Sequence, residues 1–512
     1  MSVNVTSIGL RGLEGYRVRV EVQAVDGIDA IVIVGLPDAS VKESKERVAA
    51  ALHSMNHSLT DQKIIINLSP AEQKKNGPLF DLPMALGVLL SMNEIHVKLS
   101  EDFAFIGALS LDGGIQPVEG MLPAILAAKR LGLKRLYMPF DEKLPQLEFN
   151  GLDIVYVSSV HDVIQHLSGQ TLLPFIAPSI QEEVVVESTV EFSKIVGHTY
   201  AKRALEIAAA GEHHLFMSGP PGCGKSMLAE AFPSILPPLT EEARLEVMSL
   251  YQLNTCGQVS SRQPPFRNPH HSASGVSIIG GGQNPKPGEV SLAHRGVLFL
   301  DEIAEFTKKT LDMLRQPLES GKVTISRAHS TVSYPAQFIL IGAMNPCPCG
   351  FLHSRTHYCT CTTKQITAYQ NRLSGPIRDR FDIHLSLKPV DLQAEQEKEK
   401  ENSELIRKRV TATRQRQYNR YGEQICNGRV SYDRLTKHTL LSNSQHQMIR
   451  QLSLKHHLSN RAQIKILRLA RTIADIQQSE TISDGHIWEA VKLQKRGEEN
   501  VHRLKMTKGL KK

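Results

Sequence analysis

The stretch HLFMSGPPGCGKSMLAEAF, His214–Phe232, decides the fold. Its centre, Gly219-Pro220-Pro221-Gly222-Cys223-Gly224-Lys225-Ser226, matches G-x-x-x-x-G-K-[ST] in full. Apolar Leu-Phe-Met precedes the motif and helix-forming MLAEAF follows it, so it sits between a strand and a helix. In that setting the glycines let backbone N–H groups close around phosphate oxygens, and the helix N-terminus adds its dipole. Lys225 is expected to reach the terminal phosphates and Ser226 to hold Mg²⁺. Cys223 reads as a small filler residue within the loop.

Three further segments follow in register. GVLFLDEIAEF (296–306) is a buried strand ending in Asp301-Glu302. Asp301 at the strand end suits Mg²⁺, and Glu302 suits polarisation of an attacking water. FILIGAMNP (338–346) is another apolar strand, and its terminal Asn345 is expected beside Asp301, where an amide orients water. SGPIRDRFDIHL (374–385) places Arg378 and Arg380 ahead of a further strand. A guanidinium there either stabilises charge on a neighbouring subunit's nucleotide or pairs locally with Asp379 or Asp382.

The chain has 512 residues, too many for one domain, with an ordinary balance of 41% hydrophobic and 22% charged residues. Neither a secretory leader nor a run of eighteen apolar residues is present, which implies a cytoplasmic protein without a membrane span. A net charge of +8 permits a polyanionic partner.

Residues 1–168 read as a first α/β domain. YRVRVEVQAV (16–25) alternates like a half-buried strand, and AIVIVGL (30–36) reads as a fully buried one. A helix over 38–52 is capped by Asp38 or Ser40, and another over 81–92 carries Pro83 in its first turn. Residues 169–190 are a linker, 191–390 the second α/β unit, and 391–430 a long charged helix, acidic first and basic later. Residues 431–500 are helical and 501–512 form a basic tail.

NPCPCGFLHSRTHYCTCTT (345–363) holds four of seven cysteines: Cys347, Cys349, Cys359 and Cys361. Two C-x-C pairs suit a closed tetrathiolate Zn²⁺ site, the alternative being reduced thiols in a loop. His353 and His357 are spectators or replacements for one thiolate.

IVGHTYAKRALEIAAAGEHHLFMSGPPGCGKS, VSLAHRGVLFLDEIAEF, GAMNPCPCGF and SGPIRDRFD together resemble the ComM/YifB family of the magnesium-chelatase-like AAA+ ATPases. The resemblance spans nearly the whole chain. It implies ATP and Mg²⁺ at Walker A (Gly219–Ser226) and Walker B (Asp301, Glu302), sensor 1 at Asn345, and a trans arginine finger at Arg380. Arg378 stands where the family more often has leucine. The resemblance also places sensor 2 at Arg461, in a helical lid, and implies a homo-hexameric ring. Related proteins are DNA helicases that drive branch migration, so single-stranded or branched DNA is the expected partner. Two insertions, 266–294 and 319–335, fit hairpins aimed at a pore; Lys322, Arg327 and His329 of the second are candidate phosphate contacts.

The first domain resembles the Lon-protease, ribosomal-S5-like fold. That family's serine would fall at Leu79 and its lysine at Leu122, and neither leucine is a nucleophile or base. An ATP-dependent protease is therefore disfavoured, and a protein-remodelling ATPase is the alternative to a DNA motor. Lys74 and Lys75 either face a phosphate or lie in a solvated loop. Arg407, Lys408, Arg409, Arg414, Arg416 and Arg420 are a further candidate DNA face, against a solvated helix.

Overall fold

In a computed structural model the described residues are 2–494, except 98, 143, 146–150, 171–189, 255–261, 283–284, 328–329, 353, 355–356, 391–400 and 457. The linker, the acidic half of the charged helix, His329, His353 and the tail thus lie largely or wholly outside them.

The first α/β unit begins with β1 (Ser2–Arg11), β2 (Glu14–Asp26), β3 (Ala30–Val34), α1 (Ala39–Ser54) and β4 (Gln62–Ser69). They form a sheet of order β1-β2-β4-β3, antiparallel except for the β3–β4 pair. Along β2, Val18, Val20 and Val22 point inward, and the buried helix α2 (Asp81–Ser91) packs on that face. Asp38 caps α1 by accepting from the Val41 N–H at 2.8 Å, one of the two caps the sequence allows. β5 (Phe103–Phe105), α3 (Met121–Arg130), β6 (Arg135–Met138), β7 (Asp153–Tyr156) and α4 (Val160–Leu167) complete the unit with a parallel sheet of order β5-β6-β7.

Two expectations are corrected here. The 30–36 segment is not a fully buried strand: β3 is the sheet edge, and Val32, Val34 and Leu36 are exposed. Lys75 neither faces a phosphate nor is solvated. It is fully buried, its Nζ donates to the Pro70 carbonyl, and desolvation pushes its pKa down.

The second unit contains α5 (Thr199–Gly211), β8 (Leu215–Ser218), α6 (Lys225–Ala231), α7 (Glu241–Gln252), β9 (Phe266–Arg267) and β10 (Val297–Leu300). Next come α8 (Arg315–Ser320), the hairpin β11 (Lys322–Arg327) and β12 (Ser330–Pro335), then β13 (Ile339–Met344) and β14 (Ile383–Ser386). The five-stranded sheet has order β9-β10-β13-β8-β14 and is wholly parallel. Its strands are continuous apolar runs, as a sheet covered on both faces requires. β8, the first of these strands in the chain, lies between β13 and β14. That order creates a crevice at the carboxyl ends of β8, β13 and β10, where open α/β sheets bind ligands.

The rest is helical: α9 (Ser403–Tyr421), α10 (Tyr432–Lys437), α11 (Asn443–His456), α12 (Asn460–Ile476) and α13 (Asp484–Gln494). One apolar core runs from Leu215 and Ile341 of the sheet to Leu469, Ile473 and Ile487 of these helices. The two α/β units meet through Leu122, packed with Leu245 and Met248 of α7, while the Leu122 N–H donates to Gln252 Oε1 at 3.0 Å. Leu13, in the β1–β2 turn, packs with Leu250, Leu253 and the hairpin residues Val332 and Tyr334. One face of the hairpin is therefore buried against both units. No described helix is long and apolar enough to cross a membrane.

Candidate functional site

The phosphate loop leaves β8 at Ser218 and enters α6 at Lys225. Gly222 (φ +74°) and Gly224 (φ +84°) hold left-handed backbone, which a residue with a Cβ adopts at a cost. Cys223 is buried and desolvation raises its thiol pKa, consistent with a filler role. Because β8 lies beside β13, and β13 beside β10, three loops converge. Lys225 Nζ donates to Asn345 Oδ1 at 3.0 Å and to the Gly219 and Pro220 carbonyls at 2.8 and 3.0 Å. Ser226 Oγ donates to Asp301 Oδ2 at 2.8 Å, while Asp301 Oδ1 accepts from the Glu302 N–H at 2.9 Å. Four of the sequence-derived residues thus meet in two contacting pairs. The cation and the hydroxyl are held by neutral or acidic oxygens that phosphate oxygens and a divalent cation would replace.

Glu302 is half exposed and sits at φ +47°, an uncommon conformation for a residue with a side chain. His271 Nδ1 lies 3.7 Å from its Oε2. The sequence reading placed His271 in an insertion and missed this contact. The signal was present: NPHH follows β9 directly, and β9 is the sheet neighbour of β10.

Arg380 and Arg461 are not at this cluster. Arg380 donates to Glu319 Oε1, and Arg461 Nη2 lies 3.6 Å from the same oxygen. Neither the Asp379 nor the Asp382 pairing weighed for Arg380 from sequence is its carboxylate contact. Asp382 instead accepts from the His214 N–H at 3.0 Å and lies 3.4 Å from Lys465 Nζ.

The cysteine cluster sits next to the phosphate loop. Cys347 Sγ is 3.3 Å from Cys349 Sγ and 3.7 Å from Cys359 Sγ, and Cys349 and Cys359 are 3.5 Å apart. With Cys361, all four sulfurs lie within 4.8 Å of one another. Tetrahedral Zn²⁺ with Zn–S near 2.3 Å separates its sulfurs by roughly 3.8 Å, so the set fits such an ion. The Phe351 backbone N–H draws the Cys349 thiol below the usual thiol range. His357 stacks on Phe351 with ring centroids 4.6 Å apart and is outside the cluster. A Cβ on Gly350 would stand 2.6 Å from Pro221 Cδ, so this loop rests on the phosphate loop itself.

The basic helix is corrected. For the most part it is not the solvated helix that its sequence suggests. Arg409 binds Glu206 at 2.6 Å, Arg414 binds Glu212 at 3.3 Å, Arg416 donates to the Asp475 carbonyl at 3.2 Å, and Arg420 binds Asp475 at 2.8 Å. Only Arg407 and Lys408 of the six are exposed. Burial alone would raise the Glu212 carboxyl, but Arg429 and Arg414 hold it down to about 2.

With this geometry in hand, three family models match: magnesium chelatase subunit ChlI over residues 191–395, subunit ChlI of Mg-chelatase over 20–142, and the subunit ChlI C-terminal model over 400–494. The competence protein ComM of Haemophilus influenzae is 38% identical over 487 residues, 94% of this chain and 95% of ComM. YifB of Salmonella typhimurium is 37% identical over 485 residues, 94% of each chain. Lon protease 2 of Bacillus subtilis is 29% identical over 127 residues, 25% of this chain and 22% of that protein. The chain belongs to the ComM/YifB family of magnesium-chelatase-like AAA+ ATPases, with a Lon-like first domain. Leu79 and Leu122, where the resemblance would put the Lon dyad, are both buried.

Proposed function

We propose that this protein is an ATP-driven ring motor acting on DNA, a helicase that promotes branch migration during recombination of transforming DNA. The observation that carries the ATPase half is the contact set Lys225–Asn345 and Ser226–Asp301. In it Lys225 would exchange its carbonyl and amide partners for terminal phosphate oxygens, and Ser226 and Asp301 would hold Mg²⁺, whose charge would offset that of the phosphates. Glu302 takes the proton of the attacking water, Asn345 orients that water, and Arg380 of one subunit stabilises charge at the site of the next. The DNA half rests on the net charge of +8, the exposed Lys322 and Arg327 on the hairpin, and the similarity to a competence protein. A finger that acts only in trans requires an oligomer, and the family resemblance makes that oligomer a homo-hexameric ring.

On the same reading Cys347, Cys349, Cys359 and Cys361 hold one structural Zn²⁺ per chain. The ion supplies a cross-link that the short loop, with no core of its own, otherwise lacks. Metal analysis of reduced protein checks this, and a content well below one zinc per chain refutes it.

The deciding experiment measures ATP hydrolysis and strand displacement together, with and without forked and Holliday-type DNA. Lys225→Ala is expected to lower hydrolysis about 10³-fold, the scale of losing one preorganised donor to a developing charge. Hydrolysis indifferent to DNA, with no displacement, would replace the motor reading with protein remodelling.

A further inference from the structure

We propose that Glu319 is a positioning residue that holds Arg380 and Arg461 together in the resting chain and releases both when the hairpin β11–β12 engages its polymer. The inference rests on the reading of Arg380 as the trans finger. Arg380 is retracted: its side chain is 16% exposed, and its Nε is buried with no acceptor among the described residues. A finger needs its guanidinium free to meet the next subunit's phosphates. Here the guanidinium is spent on a carboxylate of its own chain.

The backbone around Arg380 is fixed, so the side chain is the part left to move. Lys465 Nζ donates to the carbonyls on either side, Asp379 O at 2.6 Å and Phe381 O at 2.8 Å. Arg461 lies four residues before Lys465, one turn earlier on α12. Glu319 thus faces two cations, one from the finger loop and one from the helical lid. Its side chain is half exposed, that of Arg461 is 62% exposed and that of Arg380 is the shielded one, so the Arg461 pair is weak and the Arg380 pair keeps the latch closed until Glu319 moves.

Position along the chain supplies the coupling. Glu319 is in the last turn of α8, and β11 starts three residues later at Lys322. α8 is too short to absorb a displacement of the strand it feeds. Movement of β11 toward a bound polyanion carries Glu319 with it, and one carboxylate frees two arginines at once. Coordinated release through one carboxylate is what a ring needs if hydrolysis is to wait for substrate.

The test uses the full-length assembled protein and steady-state hydrolysis, without polymer and with saturating mixed-sequence single-stranded DNA. For a latch that is closed most of the time, Glu319→Gln raises the polymer-free kcat about tenfold by raising the competent fraction. KM for ATP stays unchanged, and stimulation by DNA collapses toward unity. Glu319→Asp restores the wild-type pattern, and Glu319→Gln combined with Arg380→Ala behaves as Arg380→Ala alone. A merely structural role predicts none of this pattern. If Arg380→Ala abolishes hydrolysis and Glu319→Gln leaves polymer-free kcat unchanged or lowers it, the latch is refuted and the finger stands. If Arg380→Ala hydrolyses normally, the finger reading falls and takes the latch with it. Should DNA stimulate neither protein, the polymer-free rate of Glu319→Gln still decides the matter. Glu319→Ala serves as a second variant with the same expectation.

Discussion

The helix α9 and the hairpin β11–β12 are both basic segments with one apolar face packed on the fold, yet their charges are treated oppositely. On α9, Arg409, Arg414 and Arg420 each meet a carboxylate from a distant part of the chain. On the hairpin, Lys322 and Arg327 are exposed, and neither makes an ion pair among the described residues. Local charge density does not separate the two cases. What separates them is whether the packed neighbours supply carboxylates. Glu206 and Glu212 come from α5 and its C-cap and Asp475 from α12, so α9 is fastened to the ATPase core and the helical region.

The largest effect comes from breaking the α9 side. Glu212→Gln leaves the part-buried Arg414 and Arg429 against a neutral amide. Leaving such charges without their carboxylate costs on the order of 2 to 3 kcal/mol, read as a shift in the urea midpoint at pH 7. A change below about 0.5 kcal/mol, the range of an ordinary surface substitution, would mean that these arginines are effectively solvated and that the contrast with the hairpin is false.

Acid sharpens the same point. The Glu212 carboxyl is depressed to about 2 in the folded protein by Arg429 and Arg414, against its desolvation. A depressed folded pKa stabilises the fold above the unfolded pKa, and that contribution is lost as pH falls through the folded value. The stability gap between wild type and Glu212→Gln is therefore full at pH 6 to 7. It shrinks progressively from about pH 5 toward pH 2, by on the order of 3 kcal/mol in total. Paired urea titrations across that range measure it; a gap independent of pH would place the destabilisation in packing rather than charge.

How much of this was legible in the sequence depends on the distance between partners. Gly219–Ser226 is a local motif, so its strand–loop–helix setting is visible without any tertiary knowledge. Asp301 and Asn345 end apolar strands, and a parallel sheet brings such ends together. The hairpin is likewise local: VTI and TVSY are close in sequence and pair with each other. By contrast, an apolar run such as AIVIV does not say whether it lies inside a sheet or at its edge. The edge position of β3 follows from which strands pair, a global fact. Lys75 read as a loop lysine because nothing nearby announces that the chain buries it. The partners of Arg409 and Arg414 are about 200 residues away, and Arg380 and Arg461 share a carboxylate that neither segment contains. The packing of Leu122 under α7 is likewise a contact between distant segments.

A smaller effect tests the hairpin side. On the proposed function, Lys322 and Arg327 each neutralise one phosphate. Their double alanine substitution lowers the slope of log affinity against log salt by about 1.4 for single-stranded DNA, about 0.7 for each phosphate no longer neutralised. Binding titrations at several salt concentrations give that slope directly. An unchanged slope would remove the hairpin from the DNA path and leave its exposed charges as solvated residues.

The smallest effect is expected on α9 itself. Arg407 and Lys408 are the two exposed members of its basic set, and Lys408 reaches Glu404 at 2.8 Å one turn earlier. That pair is solvent-exposed on both sides, so its loss costs about 0.3 to 0.5 kcal/mol at most. The double substitution Arg407→Ala with Lys408→Ala is therefore expected to leave the urea midpoint nearly unchanged and the salt slope of DNA binding at its wild-type value. The comparison with the hairpin is what gives this result meaning. Each double variant removes two positive charges, so a nonspecific loss of net charge would act on both alike. A slope that falls only in the hairpin variant assigns the polyanion contact to β11–β12. A slope that falls equally in both would show that the exposed rim of α9 shares the DNA path despite its four fastened arginines, and that the carboxylates of Glu206, Glu212 and Asp475 fix the helix without withdrawing it from the partner.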